Sequence, residues 1–304
     1  MSVTSFNNPA GNPVHPFRSK VTTTSIQEKK RRGERITCLT AYDYSSARLV
    51  DEAGIDMILV GDSLGMVVLG YDNTMAVTVD EMLHHTRAVR RAVKSALMIA
   101  DMPYGSYHLD ETAALNNAVR FIKEAGAEAV KLEGGENRVG LVRRLLDAEI
   151  PVMGHIGLTP QSLHKMGGFK VQGKTLPAVE QLMRDAVALD RAGVFSLVLE
   201  GIPREVAAMI TAEVATPTIG IGAGPDCDGQ VLVLHDILNL TFATPAKFVR
   251  QYGDAAKLIR NAVTSFKDDV QAGAYPAEAE CYHLPAETHA ALDAINERKQ
   301  RMRR

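Results

Sequence analysis

Six charged or ionisable residues stand at the ends of short apolar segments in the first two thirds of the chain. They are Asp62, Asp101, Lys131, Glu133, His155 and Glu200. Carboxylates gathered in one site repel one another unless a cation or a shared proton offsets the repulsion. Mg²⁺ prefers oxygen ligands, and it usually takes one or two protein carboxylates together with substrate and water. If the fold brings these residues together, their types predict metal-assisted chemistry on a small substrate.

Three of the four carboxylates also have a purely structural interpretation. Asp62 could be the N-cap of the next segment, and Glu200 could cap the helix that follows its strand. Asp101 precedes a Met-Pro pair and could begin a turn. Each residue alone is therefore weak support for an active site, and only their common position at strand ends favours one.

The other three residues also leave an alternative open. Lys131 and Glu133 are two positions apart on a predicted strand, so both side chains point to one face and could form a structural ion pair. His155 could be a hydrogen-bonded core histidine. In a closed barrel, however, side chains on the inward face of a strand end would lie in the same site as Asp62, Asp101 and Glu200.

A strand-then-helix pattern repeats through the segments that carry these residues. The predicted strands are Ile36–Thr40, Met57–Gly61, Leu97–Asp101, Ala129–Glu133, Val152–His155, Ser196–Glu200, Thr218–Gly222 and Val231–His235. The predicted helices between them are Tyr44–Ala53, Val79–Val93, Glu111–Ala125, Asn137–Asp147, Ala178–Ala192 and Arg204–Val214. The strands are almost continuously apolar, as in a parallel sheet that is covered on both faces. The helices carry apolar residues at spacings of three and four.

Eight such units predict an α/β protein with a single (β/α)₈ TIM-type barrel, whose functional residues lie at the carboxyl ends of the strands. An open doubly wound sheet is the alternative, but no GxGxxG segment follows the first strand. We expect a flexible arm over residues 1–23, the barrel over 24–282 and a C-terminal extension over 283–304. Ser25-Ile-Gln-Glu28 has capping-box spacing and predicts a short first helix, with the basic run Lys29–Arg32 at its solvated end.

Composition excludes several classes of protein. The 34 basic and 36 acidic residues give a net charge of −2, which argues against a globally basic nucleic-acid binder. No apolar segment approaches the roughly 20 residues that a membrane helix needs. The three cysteines are far apart and form no CxxC pair, which argues against a disulfide scaffold and favours a reducing, cytoplasmic location.

Two glycine-containing loops leave their roles open. Gly220–Gly224 follows the seventh predicted strand, where many barrels bind phosphate, but it could equally be a tight turn. Lys165–Gly173 follows the fifth strand, and it could be a lid over the site or an ordered insertion.

Seven segments, in order along the chain, resemble the motifs of the ketopantoate hydroxymethyltransferase family. They are Ala41–Asp43, Val60–Met66, Asp101–Pro103, Val130–Gly135, Gly154–Gln161, Leu199–Pro203 and Ile219–Gly224. The resemblance runs from about Ser25 to Tyr282 and includes polar positions that the fold alone does not require. It implies a (β/α)₈ transferase that moves a hydroxymethyl group from 5,10-methylenetetrahydrofolate to 3-methyl-2-oxobutanoate, giving 2-dehydropantoate for pantothenate and coenzyme A synthesis.

The resemblance also implies roles for individual residues. The metal positions are Asp62, Asp101 and Glu133, and the substrate-binding positions are Asp62, Ser63, Asp101 and Lys131. Glu200 corresponds to the catalytic proton acceptor, and Tyr42 and His155 are accessory candidates. The implied cofactor is Mg²⁺, the partners are the 2-oxo acid and folate, and the assembly is a homo-oligomer, commonly a decamer in the family.

Two rival functions remain. A lyase or mutase of the isocitrate lyase and phosphoenolpyruvate mutase group would use the same metal-enolate chemistry, although the chain lacks the Lys-Lys-Cys-Gly-His motif of the lyases. A catalytically silent scaffold protein would show a replaced residue among the six, and none is replaced.

Overall fold

The structure is a computed structural model that describes residues 18–303. Residues 1–17 of the predicted N-terminal arm lie outside the described residues. The last part of that arm lies against the rest of the chain: the Val21 amide donates to the Ser95 carbonyl at 2.7 Å, and Lys20 donates to Glu128 at 2.6 Å.

Eight parallel strands form a closed barrel, as the sequence predicts. They are β1 Ile36–Thr40, β2 Met57–Val60, β3 Leu97–Asp101, β4 Ala129–Glu133, β5 Val152–Gly157, β6 Ser196–Glu200, β7 Thr218–Ile221 and β8 Gly229–Leu232. Each strand pairs with the next one along the chain, and β8 pairs with β1 to close the barrel. The predicted (β/α)₈ fold is confirmed.

Helices alternate with the strands, and two more follow in the last fifty residues. They are α1 Thr23–Arg31, α2 Tyr44–Glu52, α3 Leu64–Val67, α4 Val79–Ala92, α5 Glu111–Lys123, α6 Val139–Asp147, α7 Leu163–Met166, α8 Leu176–Ala192, α9 Arg204–Glu213, α10 Leu234–Ile237, α11 Ala255–Ala272 and α12 Ala286–Met302. Short 3₁₀ turns occur at Thr74–Ala76, Glu136–Arg138, Pro160–Ser162 and Glu278–Glu280.

The eighth strand differs from its prediction, which placed it at Val231–His235. The strand begins at Gly229, where a Cβ atom would lie 2.4 Å from the carbonyl oxygen of Ile36, so only glycine allows this close approach to β1. It ends at Leu232, and the Leu234 amide then donates to the Thr40 side chain at 3.0 Å as α10 begins. His235 therefore lies on the short helix α10. The prediction is too long at this end because the apolar run continues beyond Leu232, where the pairing of β8 with β1 ends.

The first helix also differs in detail. Its N-cap is Thr22, whose side chain accepts from the Ser25 amide, so the capping box begins three residues earlier than predicted. The prediction that the basic run lies on a solvated end is wrong for two residues. Lys29 binds Asp56 at 2.8 Å, and Lys30 lies 2.9 Å from Asp228.

The barrel has two apolar cores, and their separation explains where the charged residues point. The larger core lies between the strands and the helices. The smaller lies inside the barrel and takes alternate strand residues, which include Met57, Ile99, Ala129, Met153 and Val198. Alternation along a strand then carries the next inward positions to its carboxyl end. Those positions are Asp101, Lys131, Glu133, His155 and Glu200.

The contact pattern divides the chain into two units, Met1–Gly253 and Asp254–Arg304. The second unit consists of α11 and α12, and neither helix has a buried residue. The exposed apolar residues of α11 recur at helical spacing; they are Leu258, Ile259, Val263, Phe266 and Val270. Among residues 18–303, no helix combines the length and the apolar character needed to cross a membrane.

Candidate active site

Six predicted site residues come together at the carboxyl end of the barrel, and we call Asp62, Asp101, Lys131, Glu133, His155 and Glu200 the rim cluster. Lys131 on β4 forms an ion pair with Asp101 at the end of β3. Asp62 follows β2, and its backbone amide donates to Asp101 Oδ2 at 3.2 Å. All three side chains are buried. Two carboxylates thus share the neighbourhood of one ammonium group.

His155 spans the other two carboxylates of the rim cluster. Its Nδ1 lies 3.4 Å from Glu133 Oε1, and its Nε2 lies 3.3 Å from Glu200 Oε2. These are ion-pair distances, and neither ring nitrogen makes a well-aligned hydrogen bond. His155 is therefore a buried histidine whose two partners are both carboxylates of the rim cluster.

The charge states follow from these contacts. Burial and the charge of Lys131 lower the pKa of His155. The carboxylates of Glu133 and Glu200 raise it by more, so that the net pKa is about 9. Burial raises the pKa of Glu133, but His155 and Lys131 lower it below its ordinary value. Burial lowers the pKa of Lys131, but Asp101, Glu133 and Asp62 raise it above its ordinary value. These shifts favour the charged forms of His155, Glu133 and Lys131 near neutral pH.

Asp62 and Asp101 behave differently. Burial, then the charges of Asp101 and Glu133, raise the pKa of Asp62 well above its ordinary value. Burial raises the pKa of Asp101 as well, although Lys131 opposes the shift. The protein's own cations do not neutralise this carboxylate pair, so a further cation would be stabilised here.

The side chains available here fit a Mg²⁺ site in which the protein supplies only one or two ligands. Among residues 18–303, no group of three His, Cys, Asp or Glu side chains forms a metal cage by itself. Mg²⁺ seldom uses such a cage, because it keeps several waters and binds through one or two carboxylates plus substrate oxygens. Asp62 and Asp101 could supply those carboxylates, with Glu133 close enough to raise the pKa of Asp62 through its charge.

Gln161, which sequence reasoning did not single out, ties the cluster together. Its side-chain amide donates to Asp62 Oδ2 at 2.9 Å and to the Met102 carbonyl at 3.0 Å. Its backbone amide donates to Glu133 Oε2 at 3.0 Å. The Tyr107 hydroxyl donates to Gln161 Oε1 at 2.6 Å and accepts from the Glu133 amide at 3.0 Å.

This network fixes carboxylates of β2 and β4 from the loop that follows β5. Gln161 ends the motif Gly154–Gln161, so its place just beyond a strand was the signal available in the sequence. Tyr107 lies in the loop after β3, and no spacing distinguished it.

Tyr42 and Ser63 lie together beside the cluster. Their hydroxyl oxygens are 2.8 Å apart, and burial raises the pKa of Tyr42. Within the described chain neither hydroxyl hydrogen-bonds to a rim-cluster side chain. Tyr42 also positions α4, since its carbonyl lies 2.6 Å from His85 Nδ1.

The structural alternatives for the carboxylates are not observed. The N-cap of α3 is Ser63 rather than Asp62, and the N-cap of α9 is Pro203 rather than Glu200. Lys131 pairs with Asp101 and not with Glu133. The rim cluster is therefore held by contacts among its own members and with Gln161.

A cavity of about 740 Å³, which we call the rim cavity, lies next to the cluster and reaches Glu133 and Gln161. The loop Lys165–Gly173 supplies part of its wall through Lys165, Met166, Gln172 and Gly173. The loop therefore forms one wall of the cavity, which is compatible with either a lid or an ordered insertion.

The second glycine-containing loop has the geometry of a tight turn. Gly222 has a φ of 62°, and a Cβ atom there would lie 2.6 Å from Phe248. Close packing thus accounts for this glycine without a bound phosphate.

Comparison with known proteins identifies the family. The family model described as ketopantoate hydroxymethyltransferase matches residues 20–278. A 3-methyl-2-oxobutanoate hydroxymethyltransferase of Koribacter versatilis is 72% identical over 95% of this chain and 98% of its own length. The enzyme of the same name from Syntrophomonas wolfei is 57% identical over 88% of this chain and 98% of its own.

Solved structures agree on the architecture. A phosphoenolpyruvate phosphomutase from Streptomyces platensis has a TM-score of 0.55 and 15% identity, covering 91% of this chain and 99% of that one. A phosphonopyruvate hydrolase solved with oxalate and Mg²⁺ has a TM-score of 0.55 and 16% identity, covering 92% and 97%. At this identity the likeness establishes the barrel fold alone. Because the family model spans most of the chain and close relatives align over nearly their full length, the chain belongs to the ketopantoate hydroxymethyltransferase family.

Proposed function

We propose that the chain transfers a hydroxymethyl group from 5,10-methylenetetrahydrofolate to 3-methyl-2-oxobutanoate, giving 2-dehydropantoate on the route to pantothenate and coenzyme A. The names of its close relatives support the reaction. The observation that carries the proposal is the composition of the rim cluster. An under-neutralised carboxylate pair lies beside a buried lysine, and a separate glutamate lies on β6, across the barrel from β2.

Asp62 and Asp101 would hold Mg²⁺, and Glu133 would add negative charge beside it. When bound, the ion supplies a Lewis acid that polarises the keto group of a 2-oxo acid. Lys131 is charged and places its ammonium group next to Asp101, so it stabilises negative charge that develops on the keto oxygen. Ser63, beside Asp62, would help to bind the same substrate.

Glu200 would remove the proton from C3 of the substrate. It ends β6, and its side chain is partly accessible, whereas Glu133 and His155 are fully buried. A general base needs to reach the proton and to keep its own carboxylate ionised. The pKa of His155 is raised to about 9, so its imidazolium, 3.3 Å from Glu200 Oε2, helps to hold the Glu200 carboxylate in place.

The remaining proposals concern organisation. We propose that residues 24–282 act as the catalytic domain and that 283–304 are an extension. The exposed apolar residues of α11 support a homo-oligomer, because a contiguous apolar surface is typical of an interface. A cytoplasmic location is supported by the three widely spaced cysteines.

An activity assay tests the reaction. The purified full-length chain is incubated with 3-methyl-2-oxobutanoate and 5,10-methylenetetrahydrofolate, and 2-dehydropantoate is measured by mass spectrometry. We expect product only with both substrates, its loss with EDTA, and its return with excess Mg²⁺. Asp101→Asn should abolish turnover, whereas Asp56→Asn, a buried aspartate at the other end of the barrel, should keep it per folded molecule. Cleavage or rearrangement of the 2-oxo acid without folate would instead favour the lyase or mutase function.

A further inference from the structure

The rim cavity is larger than the 2-oxo acid requires. Its volume of about 740 Å³ lies in the upper half of the range for drug-sized ligands, and the proposed acid has only a few heavy atoms. The cavity touches the rim cluster at Glu133 and is also lined by Gln161. From there it extends outward between the loops after β4 and β5. A second, larger ligand could therefore extend from the reacting atoms toward solvent.

Arg138 lies in the wall of this cavity with unused hydrogen-bonding capacity. Its Nε is fully buried and has no hydrogen-bond partner, and within residues 18–303 its guanidinium forms no ion pair. The guanidinium carbon lies 5.1 Å from the centre of the Tyr107 ring. A buried guanidinium donor without a partner is costly, so this position is suited to a ligand acceptor.

The backbone before Arg138 is shaped to admit its side chain. Gly134 has a φ of 123°, and a Cβ atom there would lie 2.7 Å from Arg138 Cγ. A larger residue at position 134 would therefore displace the arginine side chain. The arginine is placed in the cavity wall by the strand end and is not a freely moving surface residue.

Two more basic residues, His164 and Lys165, lie at the exposed mouth of the cavity. In the described part of the chain neither forms an ion pair with a carboxylate. The opposite wall contains Asp185, whose Oδ1 accepts from the Glu136 amide at 2.9 Å and from Gln181 at 3.0 Å. The cavity wall thus contains basic groups together with two carboxylates, Glu133 and Asp185.

We propose that the rim cavity binds the folate co-substrate, and that Arg138 and Lys165 bind the carboxylates of its glutamate tail. This inference rests on the proposed function. A reduced folate is a two-ring system rich in N–H donors, joined through an aromatic spacer to a dicarboxylate. The carboxylates of the cavity wall can accept from its ring, and the basic residues can bind its tail.

Calorimetric titration of the full-length chain in Mg²⁺ tests this assignment with two probes. The probes are tetrahydrofolate and 6-methyltetrahydropterin, which keeps the reduced ring but lacks the aminobenzoate and the glutamate. For Arg138→Gln we expect tetrahydrofolate affinity to fall by about tenfold or more, as for a lost charged hydrogen bond. For Lys165→Gln, an exposed group, we expect a loss of about two- to fivefold. Lys170→Gln, in the same loop but not in the cavity wall, is the matched control and should bind as wild type does.

6-Methyltetrahydropterin should bind wild type and both variants with similar affinity, because it lacks every carboxylate of the folate. Equal loss for the two probes, or no loss for either, would overturn the assignment. Circular dichroism and thermal melting of each variant separate misfolding from lost contacts. If Arg138→Gln is unfolded, Lys165→Gln and Lys165→Glu carry the test, and Lys165→Glu should weaken tetrahydrofolate more. Exchange of the substrate's C3 hydrogen by wild type without folate tests the proposed function separately.

Discussion

The two ends of the barrel use buried aspartates in opposite ways. At the amino-terminal end Asp56 is 2% exposed, and at the carboxyl-terminal end Asp62 is 4% exposed. Burial raises the pKa of both groups, but the net shifts have opposite signs. Burial alone therefore does not decide the outcome. The partners supplied by the fold do.

At the amino-terminal end each carboxylate is neutralised by the protein. Asp56 binds Arg18 and Lys29 and accepts from the Thr37 amide at 3.0 Å, so its pKa lies below the ordinary value. Asp228 lies beside Lys30 and accepts from the Thr218 amide at 2.8 Å.

These contacts join α1 and the start of the chain to the strand ends. In the rim cluster, by contrast, three buried carboxylates share one lysine and one histidine. At one end of the barrel the protein's own cations neutralise the buried aspartates, and at the other they leave the carboxylates incompletely neutralised.

Removing a rim carboxylate should separate function from stability. Asp62→Asn keeps the shape of the side chain and removes one charge, so we expect turnover to fall by about 10²-fold or more as metal assistance is lost. Metal-free protein should be at least as stable as wild type toward urea, because repulsion with Asp101 and Glu133 is relieved. A clear loss of stability with turnover retained would reverse the comparison.

Gln161 tests whether the rim carboxylates depend on their polar support. Gln161→Leu fills a similar volume but removes the donor to Asp62 and the acceptor of Tyr107. We expect Mg²⁺ affinity, measured by calorimetry with substrate present, to fall by about 10- to 100-fold, the range for ligand-orienting residues. Unchanged affinity in a folded variant would show that Asp62 is positioned without Gln161.

At the opposite end, Asp56→Asn should cost stability and not chemistry. The change leaves Lys29 and Arg18 without their carboxylate, and since both are partly exposed we expect a loss of about 2 kcal/mol in the free energy of unfolding. Urea denaturation measures it. Turnover per folded molecule should match wild type, and equal stability of the two proteins would contradict a stabilising role for this end.

The stability difference between wild type and Asp56→Asn should also depend on pH. The folded-state pKa of Asp56 lies below its ordinary value of 3.8, so its contribution is complete above that value and is lost as pH falls through the folded pKa. We expect a constant difference from about pH 7 to about pH 5 and a shrinking one below about pH 4. A difference that grows on acidification would show the opposite shift.

The sequence predicts those parts of the structure that repeat. Eight apolar strands and intervening amphipathic helices predict the barrel, and strand ends then predict the rim cluster, because every parallel strand delivers its last residues to one end. Alternation along β4 also places Lys131 and Glu133 together inside.

The sequence does not predict contacts that depend on distant partners. Lys29 and Lys30 look like a solvated charge run until Asp56 and Asp228 are placed beside them. In the sequence Gln161 resembles any other loop residue. Its role depends on hydrogen bonds to Glu133, Asp62 and Met102, which are distant along the chain. The end of β8 is set by Thr40, which is far away in the sequence.

The central claim is that Glu200 is the base of the rim cluster. It is tested by exchange of the C3 hydrogen of 3-methyl-2-oxobutanoate in deuterated water with Mg²⁺ and without folate, followed by NMR. Glu200→Gln keeps the side-chain shape and removes its basicity, so exchange should fall by roughly 10²-fold or more while Mg²⁺ and substrate still bind. Glu205→Gln, an exposed glutamate on α9, should exchange as wild type does. If Glu200→Gln exchanges as fast as wild type, Glu200 is not the base.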